Sequence, residues 1–180
     1  MNIILRDARQ NDYESVKRLF SQLAAYHDGL YGDDPDPNRE DLTPEDFAKE
    51  LSQPKSKMLL AVDLNNDGKV AGLIHADWHN LTEDPLAPTD RMVRIMSINI
   101  DEPYRGQKLG KTMIAAIEQW STDIGAGLVQ LRVDKKNFNA AAAYQKLDYV
   151  LKTEPVGKLD FMKPYPYSDL MIKPLTPKLN

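Results

Sequence analysis

One short stretch of the chain combines backbone freedom with positive charge. It holds two glycines, Gly106 and Gly110, and three cations, Arg105, Lys108 and Lys111. It follows an alternating apolar strand and precedes a helix whose apolar residues recur at spacings of three and four. The start of a helix leaves backbone N–H groups without partners and carries the positive end of the helix dipole. The pattern therefore predicts an anion site, with a phosphorylated cofactor or a nucleotide as its ligand.

The same residues nearly spell the phosphate loop of nucleotide-binding proteins. That loop needs four residues between its glycines, and only three lie between Gly106 and Gly110. The strand that would supply a magnesium-binding aspartate, residues 128–134, alternates polar and apolar residues, whereas a buried parallel strand is apolar throughout. A P-loop-like nucleotide-binding protein is therefore the alternative and not the main hypothesis.

Two segments together resemble the GNAT superfamily, the acyl-CoA-dependent N-acyltransferases. Residues 105–110 resemble the Arg/Gln-X-X-Gly-X-Gly/Ala pyrophosphate loop, with Lys108 where that family usually has glycine. Residues 137–149 resemble the segment Asn-x-x-Ala-x-x-x-Tyr-x-Lys-Leu-Gly-Phe, with Asp148 in place of its glycine. The two segments occur in the family's order and are separated by a helix and a strand. The resemblance is sharp over about residues 92–150.

The resemblance implies an α/β fold with a single mixed, mostly antiparallel sheet of about seven strands, a splayed parallel pair and helices on both faces. Periodicity predicts strands at residues 3–5, 58–62, 70–74, 92–100, 128–133, 149–153 and 168–173. It predicts helices from Asn11 to near His27, from Pro44, over 109–124, and around Tyr144. The helix between the fourth and fifth strands makes those two strands parallel.

Composition fits one enzyme domain over residues 1–180, because 180 residues with 42% hydrophobic content can bury one sizeable core. The absence of cysteine excludes an acyl-cysteine intermediate, so acyl transfer would be direct. A net charge of -4 disfavours a protein built to hold nucleic acid. No segment is typical of a signal peptide or a membrane span, so we expect a cytoplasmic protein without a membrane partner. A homodimer is left open.

The resemblance assigns acetyl-CoA as the acyl donor and Tyr144 as the general acid that protonates the departing thiolate. A core aromatic is the alternative for Tyr144, and a helix cap is the alternative for Asn137. The main chain around Ile98 and Ile100 would receive the pantetheine arm and the thioester oxygen. The cofactor-binding residues implied in this way are Ile98, Asn99, Ile100, Arg105, Gly106, Gln107, Lys108, Leu109, Gly110, Lys111, Asn137 and Tyr144.

The general base is not supplied by the strand before the anion site, because residues 92–97 contain no acid. His75, Asp77 and His79 alternate in sequence just after the predicted strand at 70–74, so they share a face if they lie on one strand. His75 and Asp77 are the candidate bases, acting directly or through water. A solvated strand face is an equal alternative, and a metal site made from one straight strand is rare, so we expect no metal.

The segment from Asp28 to Asp46 is rich in acids and lies where the family covers its acceptor. Asp28, Asp33 and Asp34 are candidate acceptor-binding residues, since a negative field attracts a cationic amine. A solvated acidic loop is the alternative. The sequence thus predicts an acetyl-CoA-dependent N-acetyltransferase acting on a small-molecule or peptide amine. A domain that senses CoA without turnover is the alternative from another functional class.

Overall fold

The computed structural model of the chain describes residues 2–31, 42–80, 91–152 and 167–176. Its strands are β1 (Ile3–Asp7), β2 (Ser56–Asp63), β3 (Lys69–Asn80), β4 (Arg91–Ile100), β5 (Leu128–Asp134), β6 (Val150–Lys152) and β7 (Ser168–Pro174). Its helices are α1 (Tyr13–Tyr31), α2 (Pro44–Ser52), α3 (Leu109–Asp123) and α4 (Phe138–Gln145). Each predicted strand and helix is present in the predicted order.

The strands form one sheet in the order β1-β2-β3-β4-β5-β7-β6. β1 and β2 are antiparallel, as are β5 with β7 and β6 with β7. β4 and β5 are parallel, and their paired positions run from Met92 opposite Leu128 to Ile95 opposite Leu131. β4 continues beyond the last pair to Ile100. The predicted mixed sheet with a splayed parallel pair is confirmed.

Helices cover both faces of β3. Leu73 belongs to a buried cluster with Leu19 of α1 and Phe47 of α2. A Cβ atom on the preceding residue, Gly72, would lie 3.1 Å from the sulfur of Met113 in α3. Successive strand residues face opposite sides, so α1 and α2 lie on one face and α3 on the other. Full burial of a side chain such as Phe47 contributes about 2 to 3 kcal/mol to folding.

The helix starts and ends follow local chemistry, with one correction. Thr43 caps α2 by accepting the N–H of Asp46 at 3.1 Å, and Pro44 occupies the first turn, as predicted. The prediction that α1 ends near His27 was wrong, since α1 continues to Tyr31. Gly29 lies within it, because one helical glycine costs only about 1 kcal/mol.

The chain divides into two compact units. The first consists of Met1–His75 and Ser97–Ile114, and the second of Ala76–Met96 and Ala115–Asn180. The glycine-containing stretch at 105–111 belongs to the first unit, whereas Asn137 and Tyr144 belong to the second. The two segments that carry the family resemblance therefore lie in different units.

Candidate cofactor and active site

Residues 105–111, named the anion loop below, present a row of unused backbone donors. Within the described ranges, none of the N–H groups of residues 106–111 has a hydrogen-bond acceptor. The side chains of Arg105, Lys108 and Lys111 are exposed beside them. Open N–H groups at a helix start together with three cations make a surface suited to a multiply charged anion.

The backbone of the anion loop twice adopts the left-handed conformation. Gly106 has φ of 77° and Lys108 has φ of 64°. The conformation costs a residue with a Cβ atom roughly 1 to 2 kcal/mol, and glycine almost nothing. Lys108 stands where the family usually has glycine, and its side chain makes this backbone conformation unfavourable.

Gly110 has a packing role that the sequence analysis did not predict. A Cβ atom on Gly110 would lie 3.2 Å from Cδ1 of Ile100 and 3.9 Å from Cδ1 of Ile98. The first distance is tighter than ordinary van der Waals contact. The absence of a side chain at Gly110 therefore lets α3 start close against the end of β4, in addition to keeping the loop backbone accessible.

Fewer groups at the end of β4 are available to a ligand than we expected from the sequence. The carbonyl oxygen of Ile100 accepts a hydrogen bond from Nε of Arg105 at 3.1 Å. Asn99 is buried, and its side-chain amide donates to the carbonyl of Leu19 in α1. Only the main chain of Asn99 is therefore available to a ligand. The side chains of Ile98 and Ile100 are half-buried, not fully in the core.

Two buried side chains precede the anion loop and were not singled out from the sequence. Asp101 and Tyr104 are 2% and 6% exposed, at the two ends of the turn that joins β4 to the loop. Their partners lie tens of residues away in the sequence. No local pattern identifies such contacts, so only the folded chain reveals them.

In the second unit, Asn137 caps α4 by accepting the N–H of Ala140 at 3.1 Å. Tyr144 is half-buried on the same helix, and burial raises the pKa of its hydroxyl to about 12. Within the described part of the chain this hydroxyl has no hydrogen-bond partner. The ring of Tyr144 lies 6.1 Å from the ring of Tyr149, centroid to centroid.

Tyr149 belongs to a buried polar group behind Tyr144. Its hydroxyl is buried, and burial, followed by the charge of Glu118, raises its pKa well above the usual range. Lys173 donates to Oε2 of Glu118 at 2.9 Å, and its Nζ lies 5.8 Å from the centre of the Tyr149 ring. These contacts fix the ring against which Tyr144 packs.

The two candidate bases have different surroundings. Nε2 of His75 lies 2.9 Å from Oε1 of Glu50 and 3.0 Å from Oγ of Ser56. A Ser-His-Glu catalytic triad needs its serine and its acid on different ring nitrogens, so this cluster is not such a triad. The side chain of His75 is 13% exposed and that of Asp77 is 24% exposed, so His75 is the less accessible of the two candidate bases.

Asp77 lies in a half-buried group of titratable side chains in the second unit. Its Oδ1 is 3.0 Å from Nε2 of His79, and the two side chains are 24% and 31% exposed. Arg94 of the neighbouring strand β4 is also half-buried; burial lowers its pKa, and the charge of Asp77 opposes that shift. A carboxylate, an imidazole and a guanidinium therefore share one region of the sheet.

The predicted acceptor residues are only partly within the described ranges. Asp28 is half-buried on α1. Asp33 and Asp34 lie outside the described residues. Among the residues that the structure describes, no three His, Asp or Glu side chains are placed to hold a metal ion. In the same ranges, no helix is long and apolar enough to cross a bilayer.

Comparison with known proteins gives a family and a set of similar folds. The profile of the Acetyltransferase (GNAT) family matches residues 17–149. The mutant BH1408 protein from Bacillus halodurans is similar at 26% identity and a TM-score of 0.70, over 87% of this chain and 98% of that one. The PaiA N-acetyltransferase from Thermoplasma acidophilum, solved with coenzyme A, has 17% identity and a TM-score of 0.72, over 97% and 100%.

NAA60 from Arabidopsis thaliana, solved with acetyl-CoA, is similar at 17% identity and a TM-score of 0.66, over 97% of this chain and 99% of that one. No curated protein matches the sequence. The structural likenesses below 25% identity concern the fold, whereas the family profile spans both the anion loop and α4.

Proposed function

The chain belongs to the Acetyltransferase (GNAT) family, and we propose that it transfers an acetyl group from acetyl-CoA to a primary amine by direct attack of the amine on the thioester. One observation carries the proposal: the N–H groups of residues 106–111 have no acceptor within the described ranges. A row of donors beside exposed cations fits a pyrophosphate, which is the most highly charged linkage of the donor. Hydrogen bonds to a charged group contribute about 1.5 to 3 kcal/mol each.

The lysines of the anion loop support a ligand over a purely structural role. Lys108 and Lys111 lie at the N-terminal end of α3, where a positive charge opposes the helix dipole. Lys108 also holds an unfavourable backbone conformation. A bound anion offsets both costs, and no neighbouring carboxylate is paired with either lysine among the described residues.

Tyr144 is the proposed general acid. A tyrosine hydroxyl is protonated at neutral pH even at its ordinary pKa of about 10, and burial raises the pKa of Tyr144 further, to about 12, so the hydroxyl holds a proton to donate as the carbon–sulfur bond breaks. Its hydroxyl is not committed to another group in the described ranges, which leaves it available to the departing thiolate. Asn137, which caps the N-terminal end of α4, is proposed to contact the pantetheine arm.

Asp77 is the proposed base, and His75 is kept as the second candidate. The amine must lose a proton before or during attack, and a half-buried carboxylate can accept it directly or through water. The side chain of Asp77 is 24% exposed, and its Oδ1 lies 3.0 Å from Nε2 of His79. His75 has Nε2 engaged by Glu50 and Ser56.

The acceptor is proposed to be a small-molecule or peptide amine drawn by the acidic segment that begins at Asp28, in a cytoplasmic protein. Calorimetry with acetyl-CoA tests the anion loop, with ATP and magnesium as the control ligand. A CoA-release assay over a panel of amines tests turnover. Binding of acetyl-CoA together with amine-dependent release supports the proposal; binding without release from any amine favours a CoA-sensing domain, and absence of binding overturns both.

A further inference from the structure

The turn that leads into the anion loop is tied down at both ends by buried side chains, while the loop itself is exposed. Asp101 and Tyr104 flank this turn, and the N–H of Tyr104 donates to the carbonyl of Asp101 at 2.8 Å. Residues 105–108 that follow are exposed. The geometry of the loop must therefore be set from its anchored side.

Asp101 joins three elements through one carboxylate. It accepts a hydrogen bond from Nε2 of Gln22 at 2.9 Å and forms ion pairs with Nη1 of Arg18 at 2.9 Å and with Nζ of Lys69 at 3.0 Å. Its own N–H donates to the carbonyl of Ala71 at 2.9 Å. Burial raises the pKa of Asp101, but the hydrogen bonds and the charges of its cations outweigh burial and lower it. Asp101 is thus held as a carboxylate between α1 and β3.

Tyr104 makes an equivalent attachment to the turn between β2 and β3. Its hydroxyl donates to Oδ2 of Asp63 at 3.1 Å and accepts from Nδ2 of Asn66 at 3.0 Å. Nζ of Lys69, the cation that also binds Asp101, lies 5.8 Å from the centre of its ring. The two anchors therefore share a partner and form one connected group.

The loop's own contacts are weaker constraints. Arg105 donates to the carbonyl of Ile100, and Gln107 donates to the carbonyl of Pro103 at 3.0 Å, both at exposed sites. An anion site needs its donors in place before the ligand arrives, since ordering them on binding costs affinity. Exposed side-chain bonds cannot supply that order alone.

We propose that Asp101 and Tyr104 are positioning residues that hold the donors of residues 106–111 in place for the pyrophosphate of acetyl-CoA. This inference rests on the proposed function. It predicts weaker binding of acetyl-CoA, which a general loss of stability would not produce. The rate of the chemical step at saturating acetyl-CoA should change little, because neither residue is proposed to touch the reacting atoms.

The chain offers matched controls in the same unit. Asp12 is also a buried carboxylate, paired with Arg6 at 2.7 and 2.8 Å, and Tyr13 also donates its hydroxyl once, to the carbonyl of Leu42 at 2.9 Å. Neither precedes the anion loop. Asp12→Asn and Tyr13→Phe therefore remove equivalent interactions elsewhere in the unit.

The experiment measures the Kd of acetyl-CoA by calorimetry, kcat and KM, and the melting temperature, for Asp101→Asn, Tyr104→Phe and the two controls. We expect Kd and KM for acetyl-CoA to rise about tenfold in Asp101→Asn, equivalent to about 1.4 kcal/mol, and less in Tyr104→Phe, with kcat within about twofold of wild type. The controls should lower the melting temperature similarly and leave Kd unchanged.

A truncated donor separates positioning from stability. S-acetyl-pantetheine lacks the pyrophosphate, so the wild type, Asp101→Asn and Tyr104→Phe should use it with the same kcat/KM. Equal Kd values for acetyl-CoA in wild type and in Asp101→Asn, or an equal rise in the Asp12→Asn control, would overturn the inference. If wild type itself does not bind acetyl-CoA, the proposed function fails instead.

Discussion

The start of α3 and the end of α4 pass through the same unusual backbone conformation and use it differently. Lys108 and Asp148 have φ of 64° and 67°, and both replace a glycine of the family pattern. After Asp148 the chain closes on its helix, because the N–H of Tyr149 donates to the carbonyl of Tyr144 at 3.1 Å. Around Lys108 the N–H groups of residues 106–111 have no acceptor in the described ranges. The left-handed residue after α4 lets the chain close that helix end, whereas the left-handed residue before α3 leaves backbone N–H groups available to a ligand.

The difference separates two tasks. The start of α3 holds charge and backbone donors, which suit binding, whereas α4 holds the phenol of Tyr144, which has no hydrogen-bond partner among the described residues and suits proton transfer. Changes in the anion loop should therefore alter the affinity for acetyl-CoA, and changes at Tyr144 should alter the rate. An anion-loop variant that lowers kcat at saturating acetyl-CoA, or a Tyr144 variant that weakens the binding of acetyl-CoA, would contradict this separation.

The largest effect is expected for Tyr144→Phe, which deletes one oxygen atom and keeps the ring against Tyr149. Without the acid, kcat should fall by roughly 10²- to 10⁴-fold. The Kd of acetyl-CoA by calorimetry should stay within about twofold of wild type, because the phenol is not an anion-loop donor. Wild-type turnover by this variant would mean that water protonates the thiolate and that Tyr144 only packs. Tyr13→Phe, in the first unit, controls for the loss of a tyrosine hydroxyl.

The next effect is expected for Gly106→Ala. Gly106 has φ of 77° and nothing within 4 Å of an added Cβ atom, so the substitution strains only the backbone. We expect the Kd of acetyl-CoA to rise about tenfold and the free energy of unfolding to fall by roughly 1 kcal/mol. Gly125→Ala is the matched control, because Gly125 has φ of 76° just after α3, in the second unit. It should lose similar stability and bind acetyl-CoA normally; equal binding by both variants would remove Gly106 from the site.

The pH dependence of kcat examines α4 without a mutation. Burial raises the pKa of Tyr144 to about 12, so the acid keeps its proton until that pH is approached. With both substrates saturating, kcat should not fall between pH 8 and pH 10. A tyrosine with the ordinary pKa of about 10 would have lost half of its protons at pH 10. A descending limb centred near pH 10, with the fold intact by circular dichroism, would contradict the buried acid.

The smallest effect compares the two left-handed residues directly. Lys108→Gly should relieve backbone strain and raise the free energy of unfolding by about 0.5 kcal/mol, after the entropy that glycine adds to the unfolded chain. Asp148→Gly should change it less, because aspartate tolerates this conformation better than lysine. Denaturant titration measures both. A gain at Asp148 larger than that at Lys108 would reverse the order of strain.

The order of elements was predictable because it depends on local patterns. Thr43 with Pro44 fixed the start of α2, and the spacing of Leu109, Met113 and Ile117 fixed the buried face of α3. The end of α1 was not predictable in this way. Asp28 and Gly29 are residue types typical of a loop, yet the helix continues through them to Tyr31.

The site was predictable where it consists of a continuous segment and not where it depends on distant partners. The residues of the anion loop were visible from the glycines and cations between Arg105 and Lys111. The anchors Asp101 and Tyr104 were not, because their partners Gln22 and Asp63 are 79 and 41 residues away in sequence. The lack of room for a side chain at Gly110 beside Ile100 was also missed, because it depends on how α3 packs against β4.

The imidazole of His75 has a preferred tautomer. Its Nε2 faces a carboxylate oxygen of Glu50 at 2.9 Å, and a bare ring nitrogen there would set two lone pairs against each other. A hydrogen on Nε2, directed at Glu50, removes that repulsion. The hydroxyl oxygen of Ser56, 3.0 Å from Nε2, then faces this N–H group, and the hydroxyl hydrogen of Ser56 points to another acceptor. In the neutral ring, the lone pair belongs to Nδ1. A proton arriving at His75 must therefore be taken up on the far side of the ring from Glu50, and nitrogen chemical shifts would report which side carries it.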